Sequence, residues 1–469
     1  MSGVFSFRMR RGFAPCAAAL AVVTALFAVP GEARANDVTV GCAGAPAGSY
    51  DYTSLADAIA GLKAVSHRDH FIVVAGTCTE LVILDQMENV VISGTTGAVL
   101  AEPSGSGTAP SVFAIIRANG IEIRNLRFQG SDAHGLLLNI YDSNVEVRDC
   151  LFTSSGQGMF VHGNSNVFIR RSVVQDMDWY GVRVDDNASV NLGDVDDDVI
   201  PTIIQGSGTG LLVRNDGVAN MHGRTSIREN GNGVDAQGGT LSLCCEYGRR
   251  EVVENSQGFS LLAGSKLIVQ GPFRVEGNTF GGLSLAGASA RFWYGDHVIR
   301  NNGSVGIAVS HGGSLHLSSD AVIENHAQAG ISLVGGSASI RGNVSIRNNG
   351  TPGQALNGGI VAASGSVVSL NTGATGSVTG NAGPGLLVTH NSTARLQRAT
   401  VSGNNGEGVR VAALSSVLLF EPNSVTGNAG FDLVCTPNSY GSGKPTGVGR
   451  MLCPAFDQLL SMPGGLVDR

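Results

Sequence analysis

Helical periodicity is nearly absent from this 469-residue sequence, which excludes helix bundles and leaves no room for the crossover helices of an α/β fold. After Val29 no stretch is apolar enough to cross a bilayer as a helix, and no run of alternating strands follows the last repeat to form a membrane barrel. Basic charge is scarce too, with 30 Lys and Arg against 37 Asp and Glu. Removing residues 1–35 leaves 26 basic residues (30 less 4) against 36 acidic (37 less 1), a net charge near −10. Nucleic acid is therefore not an expected partner, and an acidic polymer would need a local basic patch or bridging cations.

What the chain does have is a repeat: glycine, apolar, any residue, apolar. It runs from Gly135-Leu-Leu-Leu138 through Gly158-Met-Phe-Val161 and Gly181-Val-Arg-Val184 to Gly430-Phe-Asp-Leu433, thirteen times, with glycines 22 to 29 residues apart. The alternation marks a strand with one buried face. A second short strand follows, as in Val145-Glu-Val147 and Leu241-Ser-Leu243, and a third precedes the next glycine. A unit this short must stack on its neighbours to bury that face. The pattern predicts an all-β, right-handed parallel β-helix solenoid of about 15 coils, three short strands each, about 4.8 Å apart. Leucine-rich repeats are excluded by the missing helix-length segment. One long domain spans 71–434, between an N-terminal cap at 36–70 and a C-terminal cap or tail at 435–469.

An asparagine recurs on the way into each glycine turn, at 230, 255, 278, 302, 325, 349, 381, 404 and 428. Asparagine tolerates the left-handed backbone of a tight turn, and amides in register can bond along a stack, so these residues read as structural.

Arg8, Arg10 and Arg11 precede an apolar run from Phe13 to Val29, and Ala33-Arg34-Ala35 offers a cleavage site. Residues 1–35 thus read as a signal peptide, and the protein as exported, either secreted or periplasmic. Cys42 and Cys78 bracket the first cap and Cys435 and Cys453 the last, so terminal disulfides are expected, since open solenoid ends expose core. Cys150 falls in an inward slot equivalent to Leu126, and the adjacent Cys244 and Cys245 lack partners at metal-ligand spacing. Between Asp51 and Ala64 an amphipathic helix presents Leu55, Ile59 and Leu62, with Ser54 or Asp51 as its cap, and lids the first coil.

Ile121-Glu-Ile-Arg-Asn-Leu-Arg-Phe128 and Asn144-Val-Glu-Val-Arg-Asp-Cys-Leu-Phe152 resemble the coils of the pectate-lyase-like superfamily. That resemblance implies a β-helix whose glycine strands carry a substrate groove, and an extended acidic polysaccharide as partner. It also implies β-elimination or C5 epimerisation of a uronic acid as the sharper activity. On this chain the outward positions would gather Asp132, His134, His162, Trp179, Tyr180, Arg183, Asp185, Arg214 and Asp235 into one patch over residues 132–237. His134 or His162 would be the base, Tyr180 a proton donor and Arg183 with Arg214 the carboxylate partners. Asp178, Asp185 and Asp235 could instead hold Ca²⁺. The family epimerases' Asp-Pro-His is Asp132-Ala133-His134 here, and the lyases' Asp-His-Cys is Arg148-Asp149-Cys150. The alternative is a non-catalytic envelope or surface scaffold or adhesin. A monomer is expected.

Three further features have plainer readings. Arg124, Arg148 and Arg170 share one outward position on successive coils, with Glu122 and Glu146 close enough to pair with them. Asp194, Asp196, Asp197 and Asp198 form a solvated insertion, because Val199 stands where a calcium loop needs glycine. Trp293 reads as structural.

Overall fold

The computed structural model describes residues 37–64, 69–103, 111–131, 135–194, 199–244, 248–262, 264–354 and 357–453. The expected leader at 1–35 lies outside them, as do Cys245, Asp196 to Asp198 and the tail from 454. The described residues form an all-β parallel solenoid of about fifteen coils with one helix. Each coil carries a glycine strand such as Thr209–Arg214, a second strand such as Val218–Met221 and a third such as Thr225–Arg228. Each strand pairs in parallel with its counterpart one coil on, so Leu211 faces Val234, which faces Phe259. Second strands make one sheet of seventeen, while third and glycine strands share one of twenty-nine. They share it because the strands Leu151–His162 and Val173–Val184 run through the bend unbroken.

Alternation does what the repeat requires. Val182 and Val184 are wholly buried on either side of Arg183, and like side chains stack coil on coil, as where Phe128 lies 4.4 Å from Phe152 with rings nearly parallel. Cys150 is buried, as Leu126 is one coil before. The glycines answer to close approach between coils. A Cβ on Gly282 would lie 2.4 Å from the carbonyl oxygen of Gly306 on the next coil, a contact no side chain accommodates.

The asparagines separate into two positions with different work. Residues just before them, such as Glu229, Glu254 and Asn301, take the left-handed conformation. The asparagines themselves point inward and bond in series: Asn230 Nδ2 donates to Asn255 Oδ1 (3.0 Å), Asn255 to Asn278 (3.1 Å) and Asn278 to Asn302 (2.8 Å). Asn325 is not a member, contrary to the expectation from spacing. Its φ is 58°, and the slot belongs to buried His326, whose Nδ1 accepts from the Asn302 N–H (3.2 Å) while Nε2 meets the Ile299 carbonyl (3.1 Å). The series resumes from Asn349 to Asn428. It ends on Asp432, whose Oδ1 accepts from Asn428 Nδ2 (2.9 Å). In each amide-to-amide bond the donor lies on the earlier coil, so an acceptor without donors is the fitting last member.

Both ends are fastened. Cys42 is bonded to Cys78 and Cys435 to Cys453. The helix is Leu55–Lys63, capped by Ser54, whose hydroxyl accepts from the Asp57 N–H. The Glu80 carboxylate completes the cap, accepting from the Leu55 N–H and the Ser54 hydroxyl (both 2.7 Å). Leu55, Ala58, Ile59 and Leu62 are buried against the first coils. The parallel ladder extends past the expected domain limits at both ends. Asp37–Gly41 pairs with His70–Ala75, Tyr440–Gly443 with Ser416–Phe420, and Met451–Leu452 with Leu433–Cys435.

Candidate functional site

Register decides which side chains share the glycine-strand face. Across successive coils Asn139 pairs with Phe160, Phe160 with Arg183, Arg183 with Leu212 and Leu212 with Asp235. The first repeat is therefore offset by two residues from its reading in the sequence. Leu137, wholly buried, fills the glycine slot, and Gly135 precedes it. The last repeat is offset likewise, because Leu433 pairs with Val409, which sets Asp432 in the glycine slot. The offset also brings Tyr141 level with His162.

Six side chains on this face form one connected group. The rings of Tyr141 and His162 lie 4.9 Å apart, and His162 stacks on Phe160 at 4.2 Å with planes 5° apart. The Arg183 guanidinium lies over the Phe160 ring at 4.3 Å. From there Arg183 donates twice to Asp185 Oδ2, at 3.0 and 2.6 Å. Arg214, one coil on, donates to the same carboxylate at 3.3 and 2.7 Å. Asp185 keeps only 3% of its side chain exposed, whereas Arg183 and Arg214 keep 22% and 31%. The group crosses four coils, about 14 Å at the usual strand spacing.

Its electrostatics follow from that pairing. Burial alone would raise the Asp185 carboxyl, but hydrogen bonds from Arg214 and Arg183 outweigh it and hold the group below the ordinary carboxylate range. Arg214 is raised, first by its bond to Asp185, with further help from Tyr180 and Asp186. His162 is lowered, chiefly by burial and further by Arg183, against the pull of Asp186 and Asp185. The imidazole is therefore neutral at pH 7, and its Nε2 shares a hydrogen bond with Asn139 Oδ1 (2.9 Å).

The other expected residues fall variously. Tyr180 pairs with Gln157 and Thr209, each just before the glycine of its coil. Trp179 beside it is 43% exposed. Asp235 lies on the face beyond Leu212, where burial raises its carboxyl although Gln237 and Ser260 offset part of the shift. Asp132 and His134 lie outside the described residues. Asp178, Asp185 and Asp235 do not converge. Among the described residues the one group with metal-ligand spacing is Cys42, Cys78 and Glu80, whose sulfurs are in a disulfide, and Asp185 is already held by two arginines.

Phe160 and Tyr141 complete the group: the repeat sets Phe160 outward without marking it as a site residue, and it does not mark Tyr141 at all. Phe160 stands two residues after Gly158, where the repeat points outward, while Tyr141 was hidden by the two-residue offset of the first repeat. Elsewhere charge is mostly paired. Arg124 meets Glu122 at 3.4 Å, and Glu146 lies between Arg148 (3.7 Å) and Arg170 (3.6 Å), the expected ion network. On the third strands Glu276, Arg300, Glu324 and Arg347 alternate coil by coil. A depression of about 290 Å³ opens there between Arg228, Glu251, Arg274 and Glu276.

A family model described as "Right handed beta helix region" matches residues 83–200, 111–280 and 295–442. Solved structures similar to the chain include tailspike protein 3 of bacteriophage CBA120, at 12% identity over 84% of this chain and 60% of that one, with a TM-score of 0.36. The A-module of a mannuronan C-5 epimerase from Azotobacter vinelandii is 12% identical over 83% and 94%, with a TM-score of 0.27. A surface adhesin of Streptococcus pneumoniae is 9% identical over 83% and 88%, with a TM-score of 0.29. The chain thus spans about 60% of the tailspike's length. No curated protein matches it. No residue of the platform takes its role from these likenesses.

Proposed function

Because the chain belongs to the right-handed β-helix family, whose strands display side chains on continuous sheet faces, we propose that the glycine-strand face of residues 136–237 binds an extended acidic polysaccharide. The observation that carries this reading is the unbroken series from Tyr141 through His162 and Phe160 to Arg183, closed by Asp185 and Arg214. Aromatic and cationic groups that step from coil to coil offer contacts to successive sugar rings. Arg183 and Arg214 keep 22% and 31% of their side chains exposed, so a carboxylate-bearing sugar can reach both guanidinium groups, with Asp186 the nearest competing charge beyond Asp185. Arg183 is also fixed from two sides, by Phe160 and by Asp185, so little side-chain freedom remains to be lost on binding. Disulfides at both ends support export, and the signal peptide at 1–35 belongs to the same proposal.

A polyuronate lyase or C5-epimerase is the second reading. The neutral imidazole of His162 beside Arg183 favours it, since abstraction of a proton α to a carboxylate needs an unprotonated base near a positive charge. In that reading His134, Tyr180 and Arg183 are catalytic, and charge is neutralised by the arginines rather than by Ca²⁺, since Asp178, Asp185 and Asp235 do not converge. Against it, both arginines already share Asp185, which leaves less of their charge for a developing carbanion. Binding without turnover is the reading the pairing supports better, and a rigid surface or envelope adhesin is its natural setting.

Calorimetric titration of the purified chain with polygalacturonate and alginate tests the proposal, run beside absorbance at the wavelength of unsaturated uronates, with and without Ca²⁺. Binding that falls about tenfold or more in Phe160→Ala, with flat absorbance, is the expected result. Rising absorbance lost in Arg183→Ala would replace it with the lyase. Absence of binding to every polyuronate would end the polysaccharide reading.

A further inference from the structure

The second-strand sheet has a different character in its C-terminal half. Seven consecutive strands, from Lys266–Val269 to Ser416–Phe420, contain no Asp or Glu, in a chain with seven more acidic than basic residues. Lys266, Arg291, Arg341 and Arg395 stand exposed on them. No ion pair holds any of the four among the described residues, whereas Arg124 on the early coils of the same sheet and Arg183, Arg300 and Arg347 on the other sheet are all paired. Asp296, Asp320 and Glu421 stand only in the turns that leave this face, and Glu421 is matched by Lys444 at 3.5 Å.

Aromatic rings support the same arginines. Arg291 lies over the Trp293 ring at 5.0 Å and Arg395 over the Phe420 ring at 4.1 Å. Trp293 is 45% exposed, so part of its ring is open on this face. His316, between Arg291 and Ser339 in register, is lowered by burial and then by repulsion from Arg291 and Arg341, with no carboxylate contributing. The outer column beside these residues carries the amides Gln270, Asn371 and Gln397.

We infer that the outer face of these seven strands is a second binding surface, separate from the glycine-strand platform, for a linear acidic polysaccharide. The face runs six inter-strand steps, about 29 Å. Four cations over that length are far sparser than the phosphates of a duplex, one per about 1.7 Å of axis, which disfavours nucleic acid. Its exposed rings, amides and serines suit hydroxyl-bearing rings with spaced charges, and its exposed apolar side chains Trp293 and Val367 stand three coils apart, unlike the contiguous patch that enters a lipid surface.

The test compares binding of polygalacturonate, its fully methyl-esterified form, duplex DNA and anionic vesicles to the purified chain by calorimetry at two salt concentrations. The variants are a triple substitution (Arg291→Ser, Arg341→Ser, Arg395→Ser) and Phe160→Ala. All three arginines are exposed, and unfolding midpoints check that each variant folds. The expected result is that the triple variant loses about tenfold or more of the polygalacturonate affinity at low salt, that the esterified chain does not bind this face, and that Phe160→Ala retains the contribution the triple variant removes. Unchanged binding in the triple variant would overturn the inference while leaving the platform intact. Loss in the triple variant alone would keep this surface and reject the platform. DNA or vesicles bound as tightly as polygalacturonate, at equal charge, would overturn the assignment to polysaccharide.

Discussion

Replacing His326 with asparagine should make the protein less sensitive to acid. His326 interrupts a buried series of asparagine amides and must stay neutral there, because its Nδ1 accepts from the Asn302 N–H while Nε2 meets a carbonyl. Burial pushes its pKa down from 6.5 to about 4. The sign is fixed by proton uptake. Between those values the unfolded chain binds a proton that the folded chain refuses, so stability is complete above pH 6.5 and falls as pH drops toward 4. At pH 5 the loss from this one residue is about 2 kcal/mol by the linkage relation. Carboxylates titrate over the same range, but they do so in both proteins, and the difference between wild type and His326→Asn isolates the histidine. Asparagine fills this column in eight other coils, and it completes the amide series. Urea midpoints at pH 7 and pH 5 provide the assay, since a solenoid need not unfold in two states. The wild type should lose about 2 kcal/mol more than the variant on acidification. Equal losses would refute the argument.

Two other consequences concern the stack and the platform. Gly282→Ala sets a methyl 2.4 Å from the Gly306 carbonyl and should cost about 1–3 kcal/mol, read as a lowered unfolding midpoint. Asp185→Ala leaves Arg183 and Arg214 facing each other without their shared carboxylate. Because both arginines can turn toward water, the expected cost is about 2 kcal/mol, larger than for Arg183→Ala, which leaves Asp185 bonded to Arg214. Reversal of that order in thermal unfolding would show that the carboxylate is not the centre of the group.

The coil was legible because its information is periodic. Apolar residues on either side of each outward position give the strand, and the spacing of the glycines gives the stack. Periodicity fails where it meets coincidence. Gly135 and Gly430 lie two residues before slots filled by Leu137 and Asp432, so the end coils read out of register and Tyr141 fell out of view. Asn325 was read into the amide series because an asparagine stands one position before His326. The two positions differ completely, one exposed with a left-handed backbone and one buried. The face of the platform was legible, but not its pairing. Sequence places Arg183, Asp185 and Arg214 on adjacent coils, while only the folded chain shows one buried carboxylate taking both guanidinium groups. The exposure of Trp293 was not legible either, because it depends on the turn that the residue occupies.

Hydroxyl-radical footprinting of side chains, with and without saturating polygalacturonate, is the most direct test of the platform. Tyr141, Phe160 and His162 should be protected together in the complex, and their protection should vanish in Arg183→Ala. Oxidation of these three at the same rate with and without bound polysaccharide would contradict the account.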